Sequence, residues 1–290
     1  MNSTIFRLPP SIYVYHMESD RLIPDNILYS DNRALHTTNG SNITDVFNFW
    51  AVDRTGIWGF TQTSEYDIVF VDGNIHCLRL YNRLQETVKK LVGSCNNSYS
   101  GFRDGADALF NVPMKVIQDN QDPCLLYVID FRNYALRMVT ISLVPHVTTL
   151  IKNDQKKYMG VTQDPCGRYL YITHTEGLER YDLVTNTSID IVSKSTRYTN
   201  DALMYDGAIE RLEGIILYRD LVIMADSGRH VLFVVDLTNN TTFTICTGEA
   251  GHRTGNASVC RLKSPSTLLK LNGDIYIGED RHISMLRGTT

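Results

Sequence analysis

The run Leu125-Leu-Tyr-Val-Ile-Asp130 is apolar, rich in strand-forming residues and closed by an acid, which predicts a short β-strand ending in a turn. It is one of six. Asn26-Ile-Leu-Tyr-Ser-Asp31, Asp67-Ile-Val-Phe-Val-Asp72, Arg168-Tyr-Leu-Tyr-Ile-Thr-His174, Asp220-Leu-Val-Ile-Met-Ala-Asp226 and Asp274-Ile-Tyr-Ile-Gly-Glu-Asp280 repeat the pattern. The last residues fall at 31, 72, 130, 174, 226 and 280, so the steps run from 41 (72 − 31) to 58 (130 − 72). Helical periodicity is scarce. A period of this length with several strands per unit predicts a β-propeller.

Working outward, each unit reads as four strands. In the third, Pro113 opens the first strand, 125–129 form the second, and 135–141 and 146–151 the third and fourth. The fifth reads in the same way over 213–218, 221–225, 230–237 and 241–246. The expectation is an all-β chain: one six-bladed propeller of four-stranded antiparallel blades over residues 1–290. The blades are placed near 11–47, 48–95, 96–153, 154–196, 197–248 and 249–290, with Ser11-Ile-Tyr-Val-Tyr15 as the first innermost strand. The sixth unit is one strand short, and an unpaired edge is a liability. Residues 2–8 alternate polar and apolar and are predicted to close that blade, with Pro9-Pro10 stopping the strand.

One unit is more specific. Gly101-Phe-Arg-Asp-Gly105-Ala-Asp-Ala-Leu-Phe110-Asn-Val-Pro113 is followed by Leu126-Tyr-Val-Ile-Asp130-Phe-Arg-Asn133-Tyr-Ala-Leu-Arg137. This resembles an NHL repeat, a D-G-x-x-A-x-F/L-x-x-P loop and a Y-V-x-D-x-x-N-x-x-I/L-R strand pair. Residues 251–265 with 274–280 are a looser copy, and Asp226-Ser-Gly-Arg-His230-Val resembles the family's D-S-x-N/R-H segment. The fourth unit departs, with His174 where the acid is expected. The resemblance implies a rigid six-bladed scaffold in which the Asp caps the tight turn through backbone N–H groups.

Composition narrows the function classes. The chain has 290 residues, 43% hydrophobic and 21% charged, with a formal net charge of −4. No basic stripe offsets that charge, so nucleic acid is not expected as a partner. No run of about 18 apolar residues exists, so no direct membrane insertion is expected. Asn-x-Ser/Thr sequons occur at Asn2, Asn39, Asn42, Asn96, Asn186, Asn239, Asn240 and Asn256. Eight is an excess over the roughly three that composition predicts. Six dispersed cysteines, Cys77, Cys95, Cys124, Cys166, Cys246 and Cys260, include no C-x-x-C. Both features point to an oxidising, secretory history and an extracellular or cell-surface location. The first residues lack a signal-peptide apolar core, so the chain is expected to be an ectodomain with its leader removed. Sequential disulfides are predicted: Cys77–Cys95, Cys124–Cys166 and Cys246–Cys260.

Catalytic readings find little support. An amidating-lyase branch of similar propellers holds zinc on three histidines, each just after the loop proline of an innermost strand. The matching positions are Met114, Ser266 and Gly214, so that metal chemistry is not carried over. Of the eight histidines, His76, His174 and His282 fall in alternate units, at turns where packing or turn hydrogen bonding is the expected role. Innermost segments carry Tyr13, Tyr15, Lys115, Gln118, Thr162, Glu213 and Lys270, with no recurring carboxylate set. There is no G-x-S-x-G, H-E-x-x-H or P-loop, and Ser227 has no evident base. No catalytic residue, metal or cofactor is assigned.

The expected function is a binding platform for a protein or other extracellular macromolecule, served by loops 48–61, 95–112 and 193–211. Candidate contact residues are Trp50, Trp58, Phe60, Phe102 and Arg103, of types enriched at interface anchors. Inter-blade core is the competing, and more usual, role for these aromatics. The alternative is an extracellular hydrolase or lyase with a central-channel site.

Overall fold

β-Branched and aromatic residues dominate the six recurring runs, and each run forms a strand within its own four-stranded antiparallel sheet. The computed structural model describes residues 3–8, 13–53, 56–193, 209–246, 248–253, 255 and 259–287. The chain begins with β1 (Ser3–Arg7). Blade 1 follows as β2 (His16–Ser19), β3 (Ile27–Ser30), β4 (Ala34–Thr38) and β5 (Ile43–Asn48). A short helix, α1 (Phe49–Asp53), leads to blade 2: β6 (Gly59–Gln62), β7 (Asp67–Asp72), β8 (Cys77–Asn82) and β9 (Thr87–Gly93). Blade 3 is β10 (Pro113–Gln118), β11 (Leu125–Asp130), β12 (Ala135–Thr140) and β13 (His146–Lys152). Blade 4 is β14 (Tyr158–Gln163), β15 (Tyr169–His174), β16 (Gly177–Asp182) and β17 (Thr187–Ser193). Blade 5 is β18 (Leu212–Tyr218), β19 (Leu221–Asp226), β20 (Val231–Asp236) and β21 (Thr241–Ile245). Blade 6 supplies β22 (Thr267–Leu271), β23 (Asp274–Glu279) and β24 (His282–Leu286).

The first strands touch one another in turn around the ring, β2 to β6 through to β22, and β22 returns to β2. They are therefore innermost, and the molecule is a six-bladed β-propeller. The N-terminal strand closes it. β1 pairs antiparallel with β24, from Ser3 opposite Leu286 to Arg7 opposite His282, completing the four-stranded blade 6.

The apolar residues of neighbouring blades pack against each other. Val69, Val71 and Leu78 of blade 2 meet Val116, Leu126 and Val128 of blade 3 in one buried cluster. Each such side chain contributes about 1.5–3 kcal/mol through burial. Inner strands run close. A Cβ at Gly160 would lie 2.3 Å from the Glu213 carbonyl oxygen of the next blade, so only glycine fits.

In blades 3, 5 and 6 the acid that ends the second strand ties the blade to the chain entering it. Asp130 accepts the Asn111 N–H (2.8 Å) and is bonded to Asn133 and Arg137 (2.8 Å each). Asp226 accepts the Glu210 and Arg211 N–H groups (3.0 Å each), and Glu279 that of Lys263 (2.5 Å). These contacts satisfy backbone donors of connections that have no ladder of their own. In blade 4 His174 replaces the acid, and the polarity of the pair is reversed. Glu179 stands where blade 3 has Arg137, each being the third residue of its strand.

Three expectations change. The first innermost strand begins at His16, not within 13–15, because its partner β3 spans only Ile27–Ser30 and the ladder runs out at His16 opposite Ser30; Ser11 and Ile12 lie outside the described residues. Phe60 is fully buried among Leu28, Phe70 and Tyr81, so it is core and not a contact residue. Cys77–Cys95 and Cys246–Cys260 form, with Cα atoms 5.0 and 4.6 Å apart, but Cys124 and Cys166 are free and exposed. Their two turns do meet, through amides instead of sulfurs. Asn120 N–H donates to Gln163 Oε1 (2.7 Å) and Gln121 Nε2 to the Pro165 carbonyl (2.9 Å).

Candidate functional site: the channel and its two faces

Every blade turns in the same sense, so its first-to-second turn and third-to-fourth hairpin open on one end of the ring. The second-to-third turns and the blade-to-blade connections open on the other. Cross-blade bonds keep to this division: Arg83, in a hairpin of blade 2, grips Asp20 in a turn of blade 1, whereas His76 receives the Val112 N–H on the opposite end. The two ends are termed the hairpin face and the loop face.

At the loop-face mouth of the channel, Lys115 of β10 passes across Gly59 of blade 2 and donates to the Tyr15 carbonyl of blade 1 (2.8 Å). Burial pushes its ammonium down to about 8, with the Glu213 carboxylate acting in the opposite sense. Glu213 is itself engaged by Arg211 Nε (2.6 Å) and by the Ser227 hydroxyl (3.1 Å). The Ser227–Glu213 contact joins the turn after β19 to β18, a juxtaposition that sequence spacing does not show. It lacks the imidazole that would make a nucleophile of the serine, and its carboxylate is already paired. Tyr13 and Tyr15 stand exposed at the mouth, Tyr13 bonded to Arg281 (3.2 Å).

The other end of the channel is crossed by side chains bonded to each other. Gln62 N–H donates to Glu18 Oε2 (3.0 Å), and the Gln62 side chain to the Ser19 carbonyl (2.5 Å). Arg21 reaches Gln118 (3.2 Å). Of the other innermost-strand candidates, Lys270 lies over the Tyr218 ring and Thr162 brings no ionisable group.

His174, Glu179 and Asp190 bring ligand-type atoms together in blade 4. His174 Nδ1 accepts the Glu176 N–H (3.1 Å), so its proton sits on Nε2, which faces Asp190 (3.6 Å) and Glu179 (4.0 Å). Lys156 Nζ lies 2.5 Å from Asp190 and 2.9 Å from Glu179. The ammonium fills the cation position and the imidazole offers a proton there, so this donor set does not fit a metal. The turn histidines His76 and His230 likewise spend Nδ1 on the Val112 and Ser264 N–H groups (3.1 and 3.0 Å) entering the next blade.

Sequons divide between the ends. Asn39, Asn42, Asn186, Asn239 and Asn240 are exposed at hairpins of blades 1, 4 and 5, and Asn96 is exposed in a loop-face connection. Asn2 and Asn256 lie outside the described residues, as does most of loop 193–211. Asp20, Asp67, Asp119, Asp164, Asp182 and Asp236 stand at turns of the hairpin face, Asp20 paired with Arg83, Asp182 with Arg168, and Asp119 and Asp164 buried. Of the candidate contact residues, Trp50 and Phe102 are each 44% exposed on the loop face, Arg103 is exposed beside Phe102, and Trp58 is half-buried against Gly73.

No family model and no curated protein matches this chain. Solved structures do, at low identity. An auxiliary nutrient binding protein from Bacteroides ovatus is 11% identical with a TM-score of 0.73, over 98% of this chain and 76% of that one. Virginiamycin B lyase from Staphylococcus aureus is 11% identical with a TM-score of 0.65, over 99% of both. A chain of a nidogen/laminin complex is 10% identical with a TM-score of 0.63, over 88% of this chain and 85% of that one. These likenesses establish the six-bladed fold.

Proposed function

We infer that this chain is a non-catalytic, secreted or cell-surface glycoprotein ectodomain of NHL type, and that its propeller is a rigid platform for a macromolecular ligand. The observation that carries the reading is the division of the molecule. Sequon-bearing hairpins crowd one end, while Trp50, Tyr99 and Phe102 stand exposed on connections of the other. Glycans hydrate and shield the surface they occupy, whereas half-exposed aromatics on a rigid scaffold are the usual anchors of a binding surface. Two disulfides suit an oxidising compartment, and no helix among the described residues is long and apolar enough to cross a membrane.

The test is secretion from eukaryotic cells, glycopeptide mapping, and crosslinking capture with the glycosylated chain. Occupied Asn39, Asn42, Asn186 and Asn239 or Asn240, and a captured partner that survives removal of those sequons, are expected. Unoccupied sequons in a secreted, folded chain, or no partner at all, would contradict the reading. Lys115 favours a second reading, a hydrolase or lyase acting at the channel mouth, since an amine near pKa 8 is suited to proton transfer. Turnover of an ester or lactone panel that Lys115→Ala abolishes would establish that reading instead.

A further inference from the structure

Two independent features coincide on the loop face. The first is aromatic exposure. Tyr13, Tyr15, Trp50, Tyr99 and Phe102, between 38% and 58% exposed, all lie on the segments entering blades 1, 2 and 3. The second is the state of the cations. Toward blades 4 to 6 most are spent on carboxylates: Arg211 on Glu213 (2.6 Å), Arg229 on Glu210 (3.4 Å), Lys263 on Asp280 (3.0 Å), and Lys156 in the His174 cluster. Toward blades 1 to 3, Arg137 is held by Asp104 and Asp130 and Lys152 by Asp154, but others are not. Among the described residues, Arg33, Arg103, Lys115, Arg132 and Lys157 have no carboxylate at ion-pair distance. Their contacts are aromatic faces or carbonyl oxygens: Arg33 lies 5.4 Å from the Trp50 ring, Lys157 lies 5.9 Å from that of Phe131, and Arg103 donates to the Asp107 carbonyl. The acids nearby are mostly consumed within the fold, Asp31 by His36 and its own turn and Asp104 by Arg137 and Thr149. Asp104, though paired, and Asp107 both stay at the surface of that loop.

Resting on the platform reading, we propose that this sector of the loop face binds an anionic polysaccharide, a sulfated or uronate-bearing glycan chain. The cations are spread over three blades and do not converge on one point, so they match a ligand with charges repeated along its length. A single phosphate or carboxylate would need donors gathered in a pocket. The interleaved aromatic rings offer flat apolar faces to sugar rings. Such binding concentrates charge recognition on one end of a net-negative molecule, so it must weaken steeply with salt.

The experiment uses heparin, with dextran as the uncharged comparison, and the full chain at neutral pH. Wild type should be retained on heparin at about 50 mM salt despite its net negative charge and released as salt rises. The triple variant Arg33→Glu/Arg132→Glu/Lys157→Glu should bind at least about tenfold more weakly. Lys89→Glu/Lys90→Glu, on β9, should bind as wild type does. Coincident thermal melts of the three proteins exclude misfolding. No retention of wild type, equal retention of the triple variant, or equal affinity for dextran would overturn the proposal. A crosslinked protein partner whose binding ignores the triple variant would also overturn it, and would leave the platform reading standing. Heparin binding that the triple variant loses, with no protein captured, would support the proposal and make the platform's ligand a glycan.

Discussion

Arg83 reaches from the hairpin of blade 2 to Asp20 of blade 1, placing two N–H groups on two carboxylate oxygens at 2.7 and 3.2 Å, with both side chains buried. Burial alone would raise the Asp20 pKa, but the Arg83 bonds and the Leu22 N–H hold it below the usual carboxylate range. Removing one partner leaves a buried charge without its counterion. Arg83→Ala should therefore cost about 3–5 kcal/mol in urea unfolding; a loss under about 1 kcal/mol would show the pair to be dispensable. The depressed Asp20 pKa means that the folded chain binds fewer protons than the unfolded chain in acid. Its contribution is present above about pH 4 and lost as pH falls through the folded value. Glu279 behaves oppositely. Burial pushes it up to about 7, against the Ser284 hydroxyl and the Lys263 N–H. A raised carboxyl stabilises the fold below the unfolded pKa and ceases to do so as pH rises through about 7. Between pH 5 and about 8, wild type should thus lose more stability than Glu279→Gln; parallel pH profiles would contradict this. Asp72, Asp130 and Asp226 were legible in the sequence because a period marks them. The reversed pair in blade 4 was half legible: His174 breaks the pattern, but its compensation by Glu179, Asp190 and Lys156 depends on strand register and side-chain reach.

Strands were the readiest elements to find, since the apolar runs are short and bounded by Asp, Asn and Gly. β10, β11 and β19 lie within a residue of the reading. Burial was harder, because an aromatic next to a turn satisfies either a core or a surface: Trp50 went outward and Phe60 inward. The start of β2 was misplaced because strand length depends on the partner, and β3 offers only four residues. Equivalent turn positions suggested a Cys124–Cys166 bond, yet equivalence by repeat does not bring two sulfurs together once Asn120 and Gln121 occupy the seam. Mass spectrometry after alkylation without reductant should therefore label Cys124 and Cys166 and leave the other four cysteines protected. Recovery of a 124–166 crosslinked peptide would refute this. The closing strand makes a heavier claim. Deleting residues 1–8 removes the β1 ladder with β24 and the buried Leu8, which should lower Tm by roughly 5–10 °C. A truncated chain that melts within about a degree of the full one would break the closure account.

At the scale of the whole molecule, a ring of six blades has two ends, and this chain treats them differently. One end carries most of the sequons; the other carries most of the exposed aromatics of the described residues and, over blades 1 to 3, several cations without carboxylate partners. The sequence listed these residues, but only the alternating direction of the strands assigns each to an end. Fold likeness leaves the function open, since a nutrient-binding protein and a lyase share the architecture. The central claim is that the ligand docks on the loop face. The most direct measurement is hydroxyl-radical footprinting of the glycosylated chain, free and bound to its captured ligand. The account predicts protection of Trp50, Tyr99 and Phe102, with the hairpins around Asn39, Asn186 and Asn239 unchanged. Protection confined to those hairpins, with the three aromatics equally oxidised in both states, would contradict it.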